Sequence, residues 1–541
     1  MLAAAALCLV FPLVAVGEST LEEVLAGRLA SQPEPSSARA SAILQAIRTE
    51  YAARDYRPLW LGDRRPTAAA RESVLVLQRS FEHGLDPRHY QASWLAETMR
   101  SLGAGNKDLQ SMAGWDLAMT SSVARFLVDL QVGRVDGARF GFPKVSLDRI
   151  RSLVEGSMRR LAAEPLSVLA ESTACQLPQY QSLLPELARF RSLARSDLNP
   201  RQLPDARGGV LHEGDEYAAV RELIDILRAY GALAGADEVD PTHIGPQVAL
   251  ALRRFQMQSG LQADGVLGPA TLAQLRVPFA QRVMQIELAL ERWRWIGQQD
   301  EPYVIVNLPQ FTLFAYAAGA SQDVPLAMRV VIGQDDERWR TPQFSAVITE
   351  VIFNPFWDVP VSIATRELLP LERAHPGYLT RNGFEAVTVD GRTSPARGAA
   401  LVAVANGSMR LRQRPGAGNA LGRIKFRMPN DYGVYLHDTP AKDLFDTACR
   451  AYSHGCLRLA EPSALAQFVL GHGLRSGGAE WPAGRIREVM AAEETINLRL
   501  ERPLRFHAMY LTAQAGADGV AFFPDIYGLD SRLARTVRDA P

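Results

Sequence analysis

The spacing of apolar residues changes its period once, near residue 301, and that change decides what the chain can fold into. Upstream, apolar residues recur every three or four positions. Ile43, Leu44 and Ile47 do so within 41–51, Val74, Leu75, Leu77 and Phe81 within 73–81, and Leu117, Val123, Phe126, Leu127 and Leu130 within 115–132. Each set lays one apolar stripe along an α-helix. Gly84-Leu-Asp-Pro87 and Gly133-Arg-Val-Asp-Gly137 supply the breaks between helices. Downstream, 303–307, 311–316, 328–332 and 346–353 are short β-branched or aromatic runs with turn residues between them, and read as strands. A chain of 541 residues is too long for one core, and the length prior suggests roughly three or four domains. The expected class is therefore multidomain α+β.

Charge narrows the partners. Lys plus Arg and Asp plus Glu are both 59, which argues against a general nucleic-acid or anionic-membrane partner. Residues 2–16 are almost wholly apolar and end in Ala15-Val16-Gly17, as a cleaved signal peptide over 1–17 would, although no Lys or Arg precedes them. The run is too short for a typical spanning helix. Export without lipidation is expected, with no membrane span once the signal is removed. Cys8 leaves with the signal. The remaining Cys175, Cys449 and Cys456 make no disulfide framework. A free thiol in an oxidising compartment favours a catalytic role for one of them. Cys449 is expected to be a small buried residue, with oxidative pairing to Cys456 as the alternative.

The stretch 435–462 concentrates the chemistry. It holds Tyr435-Leu-His437-Asp438 and then Ser453-His454-Gly455-Cys456-Leu-Arg458, with Cys456 nineteen positions after His437. A cysteine nucleophile needs a base, because a free thiol with a pKa of about 8.5 is mostly protonated at neutral pH. Two imidazoles lie close enough in sequence to serve. Gly455 permits a tight turn that turns the Cys456 amide toward a developing oxyanion. Ser453 and Arg458 are polar neighbours that would order the site, and Asp438 is a weaker candidate for orienting His437. No metal-ligand spacing appears, so neither metal nor cofactor is expected.

These residues resemble the signature of the L,D-transpeptidase family, whose catalytic domain is also called YkuD. The resemblance implies Cys456 as nucleophile, His437 as proton donor and acceptor, and His454 and Gly455 as parts of the catalytic loop. It extends to a segment after 353–360 that would cap the cleft, matched by Arg412, Gln413, Gly416, Asn419, Gly422, Lys425, Phe426, Pro429 and Asn430. The implied substrate contacts are Arg458, Ser453, Tyr435, Trp357, Lys425 and Asn430. Lys425, Arg412 and Arg458 would pair with stem-peptide carboxylates. Trp357 and Tyr435 are candidate cleft walls or core residues.

Two further segments carry resemblances. Phe255-Gln256, Gly260-Leu261, Asp264-Gly265, Gly268 and Thr271-Leu272 resemble a peptidoglycan-binding repeat, which leaves glycan contact through 211–275 open. Glu291-Arg-Trp-Arg-Trp295 and the strings around Trp60, Tyr90 and 130–136 resemble the large, multidomain members of the same family. The expected organisation is a signal peptide over 1–17, a helical N-terminal scaffold over 18–203 and a small three-helix peptidoglycan-binding-like domain over 204–277. A connecting helix over 278–300 follows, then a mostly-β catalytic domain over 301–513 with an inserted capping subdomain at about 361–430, and a C-terminal extension over 514–541. The family implies donor and acceptor peptidoglycan stem peptides as partners and a periplasmic location. A thiol hydrolase of the same stems, or a silent wall-binding scaffold, are the rival readings.

Overall fold

The computed structural model describes residues 19–105, 108–206, 208–234, 240, 242–319, 325–474, 481–516 and 519–540. The 1–17 segment read as a signal peptide, with Cys8, lies outside them. The chain divides into two compact units. One comprises the described residues up to Phe81 with Asp86–Asp129 and Val145–Ala174, and the other Glu82–Leu85, Leu130–Lys144 and the described residues from Cys175 onward.

The first unit is helical. It holds α1 (Leu21–Ser31), α2 (Ala38–Ala53), a hairpin of β1 (Leu61–Gly62) and β2 (Arg65–Pro66), α3 (Ala68–Gln78), α4 (Ala92–Gly103), most of α5 (Leu109–Val132), α6 (Leu147–Arg160) and α7 (Leu166–Thr173). Side-chain oxygens of Thr20, Ser37, Thr67 and Ser146 cap the first turns of α1, α2, α3 and α6, satisfying amides that have no intrahelical partner. Asp116 is buried, and the Trp60 amide reaches its Oδ2 at 2.8 Å while the Tyr51 hydroxyl donates to its Oδ1. Tyr51, Trp60, Tyr90, Trp115 and Phe126 are buried in the core of this unit, whereas Phe81 and Trp94 are exposed.

The second unit opens with α8 (Pro178–Gln181) and α9 (Leu183–Ala194), then α10 (Val220–Ala229), α11 (Pro246–Gln258), α12 (Pro269–Leu275) and the long α13 (Phe279–Ile296). Gln256 knits the turn between α11 and α12. Its Nε2 donates to Asp264 Oδ1 at 2.8 Å and Thr271 Oγ1 at 3.1 Å, and its Oε1 accepts the Gly265 amide at 2.8 Å. The repeat-like residues Gln256, Asp264, Gly265 and Thr271 are therefore structural partners of one another.

Beyond α13 comes the β domain: β3 (Tyr303–Asn307), β4 (Thr312–Tyr316), β5 (Leu326–Gly333), β6 (Phe344–Phe353), β7 (Trp357–Asp358), β8 (Phe384–Val387), β9 (Thr393–Pro395), β10 (Arg410–Gln413), β11 (Ile424–Arg427), β12 (Leu436–His437), β13 (Ala451–Ser453), β14 (Leu457–Leu459) and β15 (Ile496–Met509). The main sheet runs β13-β5-β14-β12-β11-β6-β15-β3-β4, and β4 also pairs with β5, so eight strands close on themselves. Closure removes the exposed edges of an open sheet. The closed sheet surrounds Val304, Ile348, Phe353, Phe426, Leu436, Leu457 and Phe506, with the helix Pro462–Gly473 packed on it.

β7, β10, β8 and β9 form a separate four-stranded sheet with its own small core of Val359, Leu379, Phe384, Ala386 and Leu411. This insertion begins before the expected 361, at β7, and ends before the expected 430. Ile424–Arg427 is β11, in the middle of the main sheet, because Ile424 and Phe426 alternate inward while Lys425 and Arg427 point away. A hairpin of β16 (Ala513–Gly516) and β17 (Gly519–Phe522) and the helix Leu529–Asp539 then pack back on the helices before the β domain.

α13 is buried on more than the one face its apolar stripe suggested. Trp293 and Trp295 are enclosed, and so are Arg282, Arg292 and Arg294. Arg292 Nη1 lies 2.6 Å from Asp530 Oδ1, both side chains being almost without solvent contact. Among the described residues Arg292 Nε and Nη2 have no hydrogen-bond partner, which makes Asp530 the counter-charge that Arg292 depends on. Asp530→Ala is expected to destabilise the second unit by about 3–5 kcal/mol, since removing one partner of a buried pair strands the other charge. Chemical denaturation read by tryptophan fluorescence checks it, and an unchanged midpoint would contradict it.

Candidate active site

Three adjacent strands bring the site together. β11 runs antiparallel to β12 with Lys425 opposite His437, and β12 runs parallel to β14 with His437 opposite Arg458. Lys425, His437 and Arg458 therefore stand in one row across the sheet. The alternation that turns Phe426, Leu436, Leu457 and Leu459 into the core turns this row, with Tyr435 and Cys456, to the other face. A one-residue slip in β11 or β14 would drive charge into the core, and one in β12 would drive the imidazole there. Register is thus fixed by burial, and it places the expected nucleophile and base on one face of neighbouring strands.

Cys456 immediately precedes β14 and is half-buried. Among the described residues its Sγ has the Gly433 carbonyl as hydrogen-bond acceptor, at 4.0 Å, and makes no hydrogen bond to His437. Burial pushes the thiol pKa up. Hydrogen bonds from the Tyr435 main chain and hydroxyl, and the charges of Lys425 and Arg458, work against that rise. Tyr435 is itself pushed well up, first by burial and then by the Cys456 charge, with the neighbouring Trp357 side chain opposing the rise. The Lys425 ammonium lies 3.9 Å from the centroid of the Tyr435 ring.

His437 is buried, and its Nδ1 bonds the carbonyl oxygen of Asp438. An acceptor at that position fixes the proton on Nδ1 and leaves Nε2 as the free base. The Asp438 carboxylate, a weaker candidate for this task, is engaged elsewhere: Oδ2 accepts the Arg423 amide at 2.8 Å and Oδ1 meets Lys442 Nζ at 2.6 Å. Burial lowers the His437 pKa to about 3, helped by Arg458 and then by Lys425 and Lys442. Burial also lowers the pKa of both Lys425 and Arg458. Neither cation makes an ion pair or a hydrogen bond among the described residues. Desolvated charge of this kind is costly unless something pairs it.

Several expected roles change on the structure. Ser453 is buried; its hydroxyl accepts the Gly455 amide at 3.1 Å and donates to the Cys456 carbonyl at 2.6 Å. It clamps the turn and has no face left for substrate. The Gly455 amide is consequently occupied, whereas the Cys456 amide has no partner among the described residues. Gly455 has φ +108, a conformation that a side chain would oppose. Asn430 closes a turn, donating to the carbonyls of Met428 and Val434 at 2.6 and 2.7 Å and accepting the amide of Tyr432 at 3.0 Å. It too is a structural clamp. His454 turns to the insertion: Nε2 lies 2.8 Å from Glu367 Oε1 and the ring meets Trp339 edge-on at 4.7 Å. Arg412 is paired with Asp358 at 2.8 Å, so it is not a spare cation for a carboxylate. Cys449 is exposed, contrary to the burial expected of it.

Three contributors went unread in the sequence. The Thr341 hydroxyl donates to the Gly455 carbonyl at 2.9 Å and accepts the Gly333 amide at 2.8 Å, bracing the nucleophile loop from β5. Glu367 and Trp339 hold His454. None belongs to a pattern of spacing, because each contact joins segments that meet after folding. Among the described residues no group of three or more His, Cys, Asp or Glu side chains is placed to hold a metal ion, and no helix is long and apolar enough to cross a membrane.

Comparison with known proteins agrees with this layout. Residues 301–484 match the model of the YkuD family, the L,D-transpeptidase catalytic domain. Residues 45–187 match a "Scaffold domain" and 216–275 a "Putative peptidoglycan binding domain". A protein of Haemophilus influenzae described as "Putative L,D-transpeptidase" is 31% identical over 233 residues. That match spans 42% of this chain and 45% of the relative, so the chain covers less than half the relative's length. The closed β domain that carries Cys456 and His437 belongs to the L,D-transpeptidase catalytic-domain family.

Proposed function

We propose that the chain is an exported, periplasmic cysteine L,D-transpeptidase acting on the stem tetrapeptides of peptidoglycan. The observation that carries this reading is the row Lys425–His437–Arg458 beside Cys456. It combines a base kept neutral, a thiol on the same face and two cations that make no ion pair or hydrogen bond among the described residues. A substrate rich in carboxylates supplies what those cations lack, through charge-assisted hydrogen bonds.

On this reading His437 Nε2 accepts the Cys456 proton as Sγ attacks the carbonyl of the third stem residue. The oxyanion is held by the Cys456 amide. The tetrahedral intermediate collapses with return of the proton from His437 to the departing amine, so D-Ala leaves and a thioester remains. The side-chain amine of a second stem then attacks the thioester and regenerates the thiol, giving a 3→3 cross-link. Because burial raises the thiol and lowers the imidazole, the resting pair is neutral and proton transfer accompanies attack.

Incubation with tetrapeptide-bearing fragments, read by mass spectrometry, tests the reaction. Dimers lacking one D-Ala are expected; tripeptides alone would make the enzyme a hydrolase, and unchanged fragments would overturn the reading. Cys456→Ser is expected to form no acyl adduct, and His437→Gln to slow acylation by about 10²–10⁴-fold. Removing Lys425 or Arg458 is expected to raise KM for carboxylate-bearing donors by about tenfold or more.

The pH profile gives a separate check. With the His437 pKa at about 3, kcat/KM for acylation is expected to be flat from about pH 5 to 7, its acid limb lying well below the usual histidine value. Arg458→Gln removes the largest charge opposing the imidazolium, so its acid limb moves up. A wild-type limb near 6.5, unmoved in the variant, would contradict this electrostatic account.

Gly422 tests the positioning of the base. It has φ +59, and a Cβ there would run into the Asp438 carboxylate. Gly422→Ala is expected to shift Asp438 and with it the carbonyl that holds His437 Nδ1. A misplacement of that order costs about a hundredfold in kcat, and the strain at φ +59 also lowers the melting temperature. Intact kcat would detach Asp438 from the base.

A further inference from the structure

The first unit contains a half-open trough of about 560 Å³, formed by α2, α5 and the turn after α1. Its floor is apolar, made of Ile43, Leu44, Ile47 and Leu117. It stays open because α5 presents Gly114, Ala118 and Ser121 there, a row of small side chains at helical spacing. A guanidinium stands at each end. At one, Arg28 lies over Gly114, where a Cβ would meet Nη1 at 3.4 Å. At the other is Arg125, eleven residues further along α5, or about 16 Å at 1.5 Å per residue.

Both arginines have donors to spare. Arg28 Nε bonds Gln110 Oε1 at 3.0 Å, and Arg125 Nη1 bonds the His89 carbonyl at 3.3 Å. Neither has a carboxylate within ion-pair distance among the described residues. Asp108, whose charge Arg28 feels, is already engaged by the amides of Gln110 and Ser111. The walls add Gln91, held at φ 52, and Gln32, whose side chains suit the amides of a peptide main chain better than a hydrocarbon chain. An extended peptide covers about 3.4 Å per residue, so five residues span the distance between the arginines.

We propose that this trough binds an extended acidic oligopeptide of about five residues, with a carboxylate near each end and small apolar residues between. The site is separate from the catalytic face and does not rest on the transpeptidase reading. Each carboxylate forms a charge-assisted pair with Arg28 or Arg125, and the middle of the peptide covers the apolar floor.

The test uses the full chain and a fluorescein-labelled pentapeptide amide with Glu at its first and fifth positions and Ala-Val-Ala between, read by fluorescence anisotropy at low salt. The expected result is saturable binding, weakened at least about tenfold by Arg28→Gln and by Arg125→Gln. A Gln-ended peptide is expected not to bind, and Ala118→Trp, which fills the trough, to block binding while circular dichroism shows an intact fold. Arg458→Gln, in the catalytic cleft, is expected to leave this binding unchanged. Equal binding of the Glu and Gln peptides, no binding of either, or loss in Arg458→Gln with retention in Arg28→Gln would overturn the proposal.

Discussion

The row of Lys425, His437 and Arg458 is the constraint around which the β domain is arranged. Two cations flank one imidazole across three strands, and the apolar partners of those strands fill the barrel behind them. Burial alone disfavours the imidazolium; the flanking charges disfavour it further. The same cations favour a thiolate at Cys456, whose burial opposes one. One arrangement therefore keeps the base uncharged and lessens the cost of the nucleophile's charge. It depends on sheet register, which the core residues set, so packing and electrostatics here are a single property of the fold.

The nucleophile's turn is held from behind rather than from the cleft. Ser453 closes it internally, Thr341 braces it against β5, and Tyr527 donates to the Gly333 carbonyl on the same strand. These contacts spend the side chains that a reader of the motif would assign to substrate. The Cys456 amide has no partner among the described residues, while the Gly455 amide is bonded to Ser453. The insertion touches the same turn through Glu367 and His454, and reaches Tyr435 through Trp357. The turn is thus fixed on the barrel side and joined on the other to a subdomain with its own small core.

Much of this was legible in the chain. The switch from a helical to an alternating period near 301 places the β domain, and Ser453-His-Gly-Cys456 with His437 marks the candidate site that its strands bring onto one face. Ile424–Arg427 was harder to assign. Four residues carry too little alternation to separate a strand from an insertion, and the pairing with Val351 and Phe353 that settles it is over seventy positions away. Ser453 and Asn430 misled for a different reason: a polar residue beside a nucleophile looks free until the main-chain groups around it are located. The stripe on α13 read as one apolar face because the carboxylate that makes Arg292 buriable, Asp530, lies at the far end of the chain.

The unpaired state of the two cations has a consequence for the reaction proposed here. A carboxylate that pairs with Arg458 removes part of the repulsion that holds the His437 pKa down. The imidazole is then a stronger base in the complex than in the free protein, and each effect implies the other by linkage. The gain is bounded, because burial is the larger cause and a bound peptide deepens it. Substrate thus raises the basicity of His437 through charge while lowering it through desolvation, and the balance turns on how closely its carboxylate approaches Arg458. A donor lacking that carboxylate would fill the cleft, add to the desolvation and leave the cations unpaired. Selectivity for acidic stems would then appear in the chemical step as well as in binding, since the charge that anchors the donor is the one that enables its base.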